Sequence, residues 1–339
     1  MHELVLVTGG SGFVAEYTIA ELLKQGFRVR ATVRTPSRET EVRSALGRLG
    51  LEPDIQVEFV EADLTEDAGW QEAAVGASFV LHVASPFPGS PASLEALLPP
   101  ARDGTLRVLK AARATAVRRV VLTSSFAAIG YGSRAGAKDY TEADWTDGDE
   151  QSLSPYIRSK TLAERAAWDW LAEQPNALEL TVVNPVGIFG PALGPKYSSS
   201  LRIVASLLAG KIPFSPHQEF GIVDVRDLAR LQAMLMTEDS AANRRFIAAS
   251  DGIWTIARIG KLLKDALGRD GRRAASIELP DLAARMLARI NPRLGIEAKE
   301  LGKSKRISNA AAKALGWQPR PGADTLLDTA RSLLALGKA

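Results

Sequence analysis

The chain has 339 residues, 46% apolar and 24% charged, with 28 Gly, 18 Pro, no Cys and 3 His, an ordinary composition for a folded chain of about two domains. Without Cys there is no disulfide, thiolate zinc site, iron–sulfur cluster or Cys nucleophile, and His2, His82 and His217 are too scattered to form a metal cage. The net charge of +3 divides into 25 Lys and Arg against 30 Asp and Glu up to residue 250, then 17 against 9, and the late basic residues are spaced as on a solvated helical face, with no nucleic-acid motif.

A strand is expected at Leu4–Thr8, at the start of the chain, where it leaves no space for a signal peptide. The turn Thr8-Gly9-Gly10-Ser11-Gly12-Phe13-Val14-Ala15 follows, and then a helix over Val14–Gln25 closed by Gly26. Gly10, Gly12 and Ala15 fit G-x-G-x-x-A, and Gly9, Gly12 and Ala15 fit G-x-x-G-x-x-A. Both spacings put small residues where the backbone turns tightly, approaches a pyrophosphate and packs helix on strand. A strand before the motif and a helix after it are the context that a dinucleotide-binding turn requires. No Lys-Ser/Thr ending follows, so a nucleoside-triphosphate loop is not indicated.

The second strand, Phe27–Val33, ends at Arg34. An acidic residue there would accept from a ribose 2′-hydroxyl, whereas a cation suits a 2′-phosphate, so Arg34 points to NADPH rather than NADH. Arg38 and Arg43 are further candidates for that phosphate. After a third strand, Ile55–Val60, Asp63 and Leu64 stand where an adenine edge would lie; helix capping by Asp63 is the alternative.

Ala73–Leu94 has no charged residue, yet Pro86, Pro88, Pro91 and Gly89 exclude a membrane helix. It is read as a strand over Phe79–Ala84 leading into a loop over Ser85–Pro100, and the protein is expected to be cytoplasmic. His82, inside that strand, is expected to be a satisfied core histidine. A helix over Arg102–Ala112 and a strand over Arg119–Thr123 come next. That strand delivers Ser124 and Ser125 to the sheet's carboxyl end, and only one of the two should face a site there.

Ser154-Pro155-Tyr156-Ile157-Arg158-Ser159-Lys160 opens a helix over Pro155–Ala172, with Ser at the N-cap and Pro at the first position. Tyr156 and Lys160 lie one turn apart on one face, and Tyr156 is the only one of the 5 Tyr with a Lys four residues on. An ammonium beside a phenol lowers the pKa of the phenol toward that of a useful proton donor. A strand at Leu180–Val183 follows. From Asn184 the rhythm breaks into Pro- and Gly-rich loops and short helices, ending in an amphipathic segment over Asp324–Leu336.

Continuous apolar strands alternating with helices indicate an α/β fold, a Rossmann-like doubly wound parallel sheet, with a smaller, mostly helical C-terminal substrate domain. The expected division is 1–183 for the dinucleotide domain, with 220–250 returning to it, and 184–339 for the substrate domain.

The motifs V-T-G-G-S-G-F-V-A, A-T-V-R, H-V-A-S-P-F, L-T-S-S, Y-I-R-S-K, N-P-V-G-I-F-G-P, V-D-V-R-D and L-G-W-Q-P-R run in this order along nearly the whole chain. Together they resemble the extended short-chain dehydrogenase/reductase superfamily, and within it the dihydroflavonol 4-reductase, cinnamoyl-CoA reductase and methylglyoxal/carbonyl reductase group. The resemblance implies reduction of an aldehyde or ketone with NADPH by Ser125, Tyr156 and Lys160. The expected cofactor set is Thr8, Gly9, Gly12, Phe13, Val14, Arg34, Asp63, Leu64, Thr123, Tyr156 and Lys160, to which the resemblance adds Ala84, Ser85, Pro185, Val186 and Gly187 at the nicotinamide. Phe87, Phe126, Ile129 and Tyr197 are candidates for the pocket wall, and Phe126 departs from the small residue of plant members. The expected partner is a small carbonyl compound, with no metal, and the chain is expected to be a monomer or homodimer. Two other functions are open to this fold: a nucleotide-sugar epimerase or dehydratase with retained NAD, and an NADP-sensing binding protein.

Overall fold

The structure, a computed structural model, describes residues 3–52, 56–86, 92–132, 138–174, 178–194, 197–290 and 303–337. The chain forms two compact units. The first comprises Met1–Gly132, Glu142–Pro185 and Arg226–Ala248, and the second Ser133–Thr141, Val186–Val225 and Ala249–Ala339.

The first unit is built on seven strands: β1 (Leu4–Val7), β2 (Arg28–Val33), β3 (Val57–Glu61), β4 (Phe79–His82), β5 (Arg119–Thr123), β6 (Glu179–Pro185) and β7 (Arg245–Ala248). They pair in the order β7-β6-β5-β4-β1-β2-β3, every pair parallel. The helices α1 (Phe13–Lys24), α2 (Glu39–Arg48), α3 (Trp70–Ala74), α4 (Leu94–Ala114) and α5 (Pro155–Ala172) connect and cover them. β1, β4 and β5 are buried along their whole length, which is why they are apolar without alternation: a parallel strand covered on both faces has no solvent side. Leu6, Val80, Leu109, Val120, Leu180 and Val182 share one apolar cluster there. Strand order reverses between β1 and β4, and the crevice of a doubly wound sheet opens at such a point, beyond the strands' carboxyl ends.

One expected loop is half helix. α4 begins at Leu94 rather than Arg102 and runs through Pro99 and Pro100. The two prolines remove only the bonds to the carbonyls of Glu95 and Ala96, residues that are exposed. Ser93 Oγ accepts from Ala96 N at 3.3 Å at the helix start. The buried stripe of Leu97, Ala101, Thr105, Val108 and Ala112 runs unbroken across the prolines, so packing outweighs the breaker residues. The helix Val225–Thr237 is closed by Arg119, wholly buried at the start of β5, whose Nη1 donates to the carbonyls of Leu235, Met236 and Glu238, a cation placed at the negative end of the helix dipole.

The second unit packs the helices Ser199–Leu208, Ile256–Leu267 and Gly322–Ala335 around Phe189, Val204, Ile222, Leu263 and Leu326. Three short parallel ladders accompany them: Gly187–Phe189 with Ile222–Asp224, Phe214–Pro216 with Ile277–Leu279, and Lys138–Tyr140 with Lys305–Ile307. Among the described residues no helix is long and apolar enough to cross a membrane.

Candidate functional site

The site grows from the residues that leave β1 and β4. Gly9 has φ +69°, and a Cβ on it would lie 3.0 Å from both Cα and Cβ of Ala84. Only glycine combines that backbone conformation with so close an approach. The Gly9 N–H donates to Thr32 Oγ1 at 2.9 Å and Gly10 N to the Thr32 carbonyl at 2.8 Å, which ties the turn to the end of β2. Gly12 is the N-cap of α1 and brings no side-chain acceptor to the helix start, so the first-turn amides at Phe13 and Val14 are left for an anion. Phe13 itself packs edge-on against Tyr17, with centroids 5.6 Å apart.

Arg34 stands exposed at the end of β2. Its charge reaches Asp63, whose carboxyl is held below the usual carboxylate range chiefly by hydrogen bonds from Thr65 and then by Arg34. Asp63 Oδ1 accepts from both Thr65 N and Thr65 Oγ1, at 2.8 and 2.7 Å. That is a local turn and not a helix cap, since α3 is capped at Gly69. Leu64 is fixed from both sides: Arg107 Nη1 donates to its carbonyl at 2.8 Å, and a Cβ on Gly104 would fall 2.8 Å from its own Cβ. Of the other two arginines, Arg43 lies over the Phe59 ring and donates to the Val57 carbonyl, while Arg38 pairs with Glu41 at 3.1 Å.

Ser154 Oγ caps α5 by accepting from Ile157 N, and Tyr156 and Lys160 follow on one face. Tyr156 hydrogen-bonds to the Ser125 side chain. Burial pushes the phenol above its ordinary value, and the Ser125 bond opposes that rise. The lowering expected from Lys160 is therefore not the direction seen. Lys160 is half-buried, and desolvation of its ammonium pushes it down to about 8, with the Glu164 carboxylate opposing; its Nζ donates to the Thr123 carbonyl at 3.5 Å.

Ser124 and Ser125 differ in what lies beneath them. Ser124 is buried and its hydroxyl donates to Glu164 Oε2 at 2.5 Å, whereas Ser125 is partly exposed and meets Tyr156. Asn184 Nδ2 donates both to Glu164 Oε2 at 2.7 Å and to the Ser125 carbonyl at 3.1 Å. Arg245 Nε completes the cluster by donating to Glu164 Oε1 at 2.6 Å. Thr123 Oγ1 accepts from Gln232 Nε2 at 2.7 Å. A small cavity beside Ala84, Ser85, Thr105, Lys160 and Glu164 joins the loop after β4 to α5.

Several sequence expectations fall elsewhere. Thr8 is wholly buried and its hydroxyl is taken up by His82 and by the amides of Val83 and Ala84, so no side-chain contact with a dinucleotide is available from it. Phe126 and Ile129 are buried core residues and not pocket wall: the single 3₁₀ turn after Ser125 folds Phe126 against Tyr131. Tyr197 packs on the apolar cluster of the second unit, and Phe87 lies outside the described residues. Pro185 ends β6 in the first unit, while Val186 and Gly187 begin the next segment of the second.

Glu164, Asn184 and Arg245 were not anticipated. Glu164 carried a signal, an acidic residue one turn beyond Lys160 on the same helical face. Arg245 carried none, since its partner lies 81 residues away. Glu16 in the first turn of α1 is a further surprise, with its carboxyl pushed up to about 8 by burial and by Glu41, against Arg48 and Arg38.

The sequence model of the NAD dependent epimerase/dehydratase family matches residues 5–249. The chain is 30% identical over 339 residues to a cinnamoyl-CoA reductase of Medicago truncatula, covering 98% of this chain and 96% of that one. It is 31% identical over 269 residues to a dihydroflavonol 4-reductase of Zea mays, covering 77% and 73%. Among solved structures it resembles the yeast methylglyoxal/isovaleraldehyde reductase complexed with NADPH, with a TM-score of 0.79 and 26% identity over 99% of this chain and 100% of that one.

Proposed function

The chain belongs to the NAD dependent epimerase/dehydratase family, and from that premise we propose that it is an NADPH-dependent reductase of aldehydes or ketones. The observation that carries the proposal is the Tyr156 phenol hydrogen-bonded to Ser125, with Lys160 half-buried one turn along the same helix. The names of the similar proteins, reductases of carbonyl compounds, support the same chemistry.

The residues fit a dinucleotide. The φ of Gly9 and its contact with Ala84 leave a backbone cradle that a Cβ would fill, and the uncapped start of α1 suits the pyrophosphate. Arg34 is assigned the 2′-phosphate, Asp63 and Leu64 the adenine edge, and Ala84, Ser85 and Pro185 the nicotinamide. When bound, NADPH supplies the hydride that the substrate's carbonyl carbon receives.

Everything else is done by the chain. The Ser125 hydroxyl orients the substrate by donating to its carbonyl oxygen, a bond that strengthens as negative charge develops there. Tyr156 Oη delivers the proton to that oxygen as the alcohol forms. The Lys160 ammonium stabilises the phenolate left behind, so its charge is worth more after proton transfer than before. A monomeric or homodimeric state and a cytoplasmic location complete the proposal.

The test is a panel of aliphatic and aromatic aldehydes, ketones, α-dicarbonyls and acyl-CoA thioesters offered to the purified protein with NADPH or NADH. The expected result is NADPH consumption matched by alcohol formation. Tightly bound NAD, with no NADPH consumed on any carbonyl, would overturn the proposal in favour of an epimerase or dehydratase.

A further inference from the structure

His82 ends β4 with 1% of its surface exposed, and its hydrogen bonds can be assigned a direction by counting protons. Its Nδ1 lies 2.8 Å from Thr8 Oγ1. That hydroxyl already accepts from Val83 N at 3.1 Å and from Ala84 N at 3.0 Å. A threonine hydroxyl has two acceptor positions and one proton. Both acceptor positions are filled by amides, so the proton goes to His82 Nδ1, and Nδ1 is an acceptor.

The ring proton then sits on Nε2, which faces Thr105 Oγ1 at 3.3 Å. Thr105 in turn donates to the Ala101 carbonyl on α4 at 2.7 Å. Every bond runs one way, from the backbone amides of the loop after β4, through Thr8, His82 and Thr105, into α4. A proton on Nδ1 would confront the Thr8 proton and break the series. Burial, with the Lys160 charge nearby, pushes the imidazole down to about 3, so the ring is neutral.

The consequence reaches the cradle. Thr8 immediately precedes Gly9, and Ala84 is both the residue whose amide Thr8 holds and the residue against which Gly9 packs. The direction of one hydroxyl therefore sets the spacing between the glycine turn and the loop after β4, the two walls of the crevice. We infer that His82 is a positioning residue for the dinucleotide: a neutral histidine protonated at Nε2, which aims the Thr8 hydroxyl and so holds the Gly9 turn against Ala84. This rests on the proposal that the turn binds NADPH.

Two measurements test it. In the nitrogen-15 spectrum of the wild-type imidazole, Nε2 should carry the proton and Nδ1 should not, unchanged as the pH falls from 7 through the ordinary histidine range near about 6.5. A proton on Nδ1, or a ring that titrates in that range, overturns the inference. NADPH Kd is then compared among His82→Leu, His82→Asn and Thr8→Val, each first shown to unfold cooperatively. Asn can present its Oδ1 where Nδ1 stood, and Leu can accept nothing.

Kd should rise about tenfold in His82→Leu, the scale of one buried hydrogen bond. It should stay within about threefold of wild type in His82→Asn, whose Oδ1 keeps that bond. Adding His82→Leu to Thr8→Val should cost little further, since the two act through one bond. If the wild type binds NADPH and His82→Leu binds it equally well, the inference fails and the functional proposal stands. If the wild type does not bind NADPH, both fail together.

Discussion

Arg245→Met removes the cation that balances Glu164 beneath the candidate site. The Glu164 side chain is wholly buried and that of Arg245 is 8% exposed. The pair is joined at 2.6 Å, and the same guanidinium donates to the carbonyls of Glu142 and Asp144, each at 2.7 Å, while lying 3.8 Å above the Trp145 ring. Breaking a buried pair from one side costs about 3–5 kcal/mol, because the remaining charge is left unbalanced. The variant should therefore lose about 3 kcal/mol of stability or more. Urea denaturation followed by tryptophan fluorescence reads this directly, provided the slope m is unchanged. In a Glu164→Gln background the same Arg245→Met change should cost about half as much or less, since no buried charge is then left behind. A loss under about 1 kcal/mol, or an equal loss in the two backgrounds, would refute the account of Glu164 as a charge held by Arg245.

Lys160, lowered to about 8, is charged below that pH and neutral above it, so kcat should fall as the pH rises through about 8; a profile flat well beyond that point would deny the ammonium a role. Arg34→Asp should weaken NADPH by about 10- to 100-fold while affecting NADH far less, since only the former carries the 2′-phosphate. Competitive binding of the two coenzymes measures the ratio, and parallel losses would remove Arg34 from the site.

What was legible in the sequence is what local chemistry dictates. The glycine spacing at Gly9 and Gly12, the cation at Arg34 and the Ser154-Pro155 start of α5 depend on neighbours within a turn or a strand end. They could be placed without knowing the partner segments, and the bounds of α5 and β5 match expectation. The failures have the opposite character. α4 extends back to Leu94 because its apolar stripe has a partner surface, which no propensity at Pro99 or Pro100 could reveal. Phe126 stood beside the candidate serine in sequence but turns inward once the chain folds back at Tyr131. Ser124 and Ser125 were equivalent until Glu164 and Asn184 were in place, and Thr8 counted as a ligand until His82 claimed its proton.

The central claim is that Tyr156 Oη supplies the proton in an NADPH-dependent carbonyl reduction. The most direct measurement is turnover and NADPH Kd of Tyr156→Phe beside the wild type on a carbonyl the wild type reduces. The account predicts a loss of about 10² to 10⁴ in turnover, the range for a positioned general acid, with Kd essentially unchanged. Turnover near that of the wild type would contradict it.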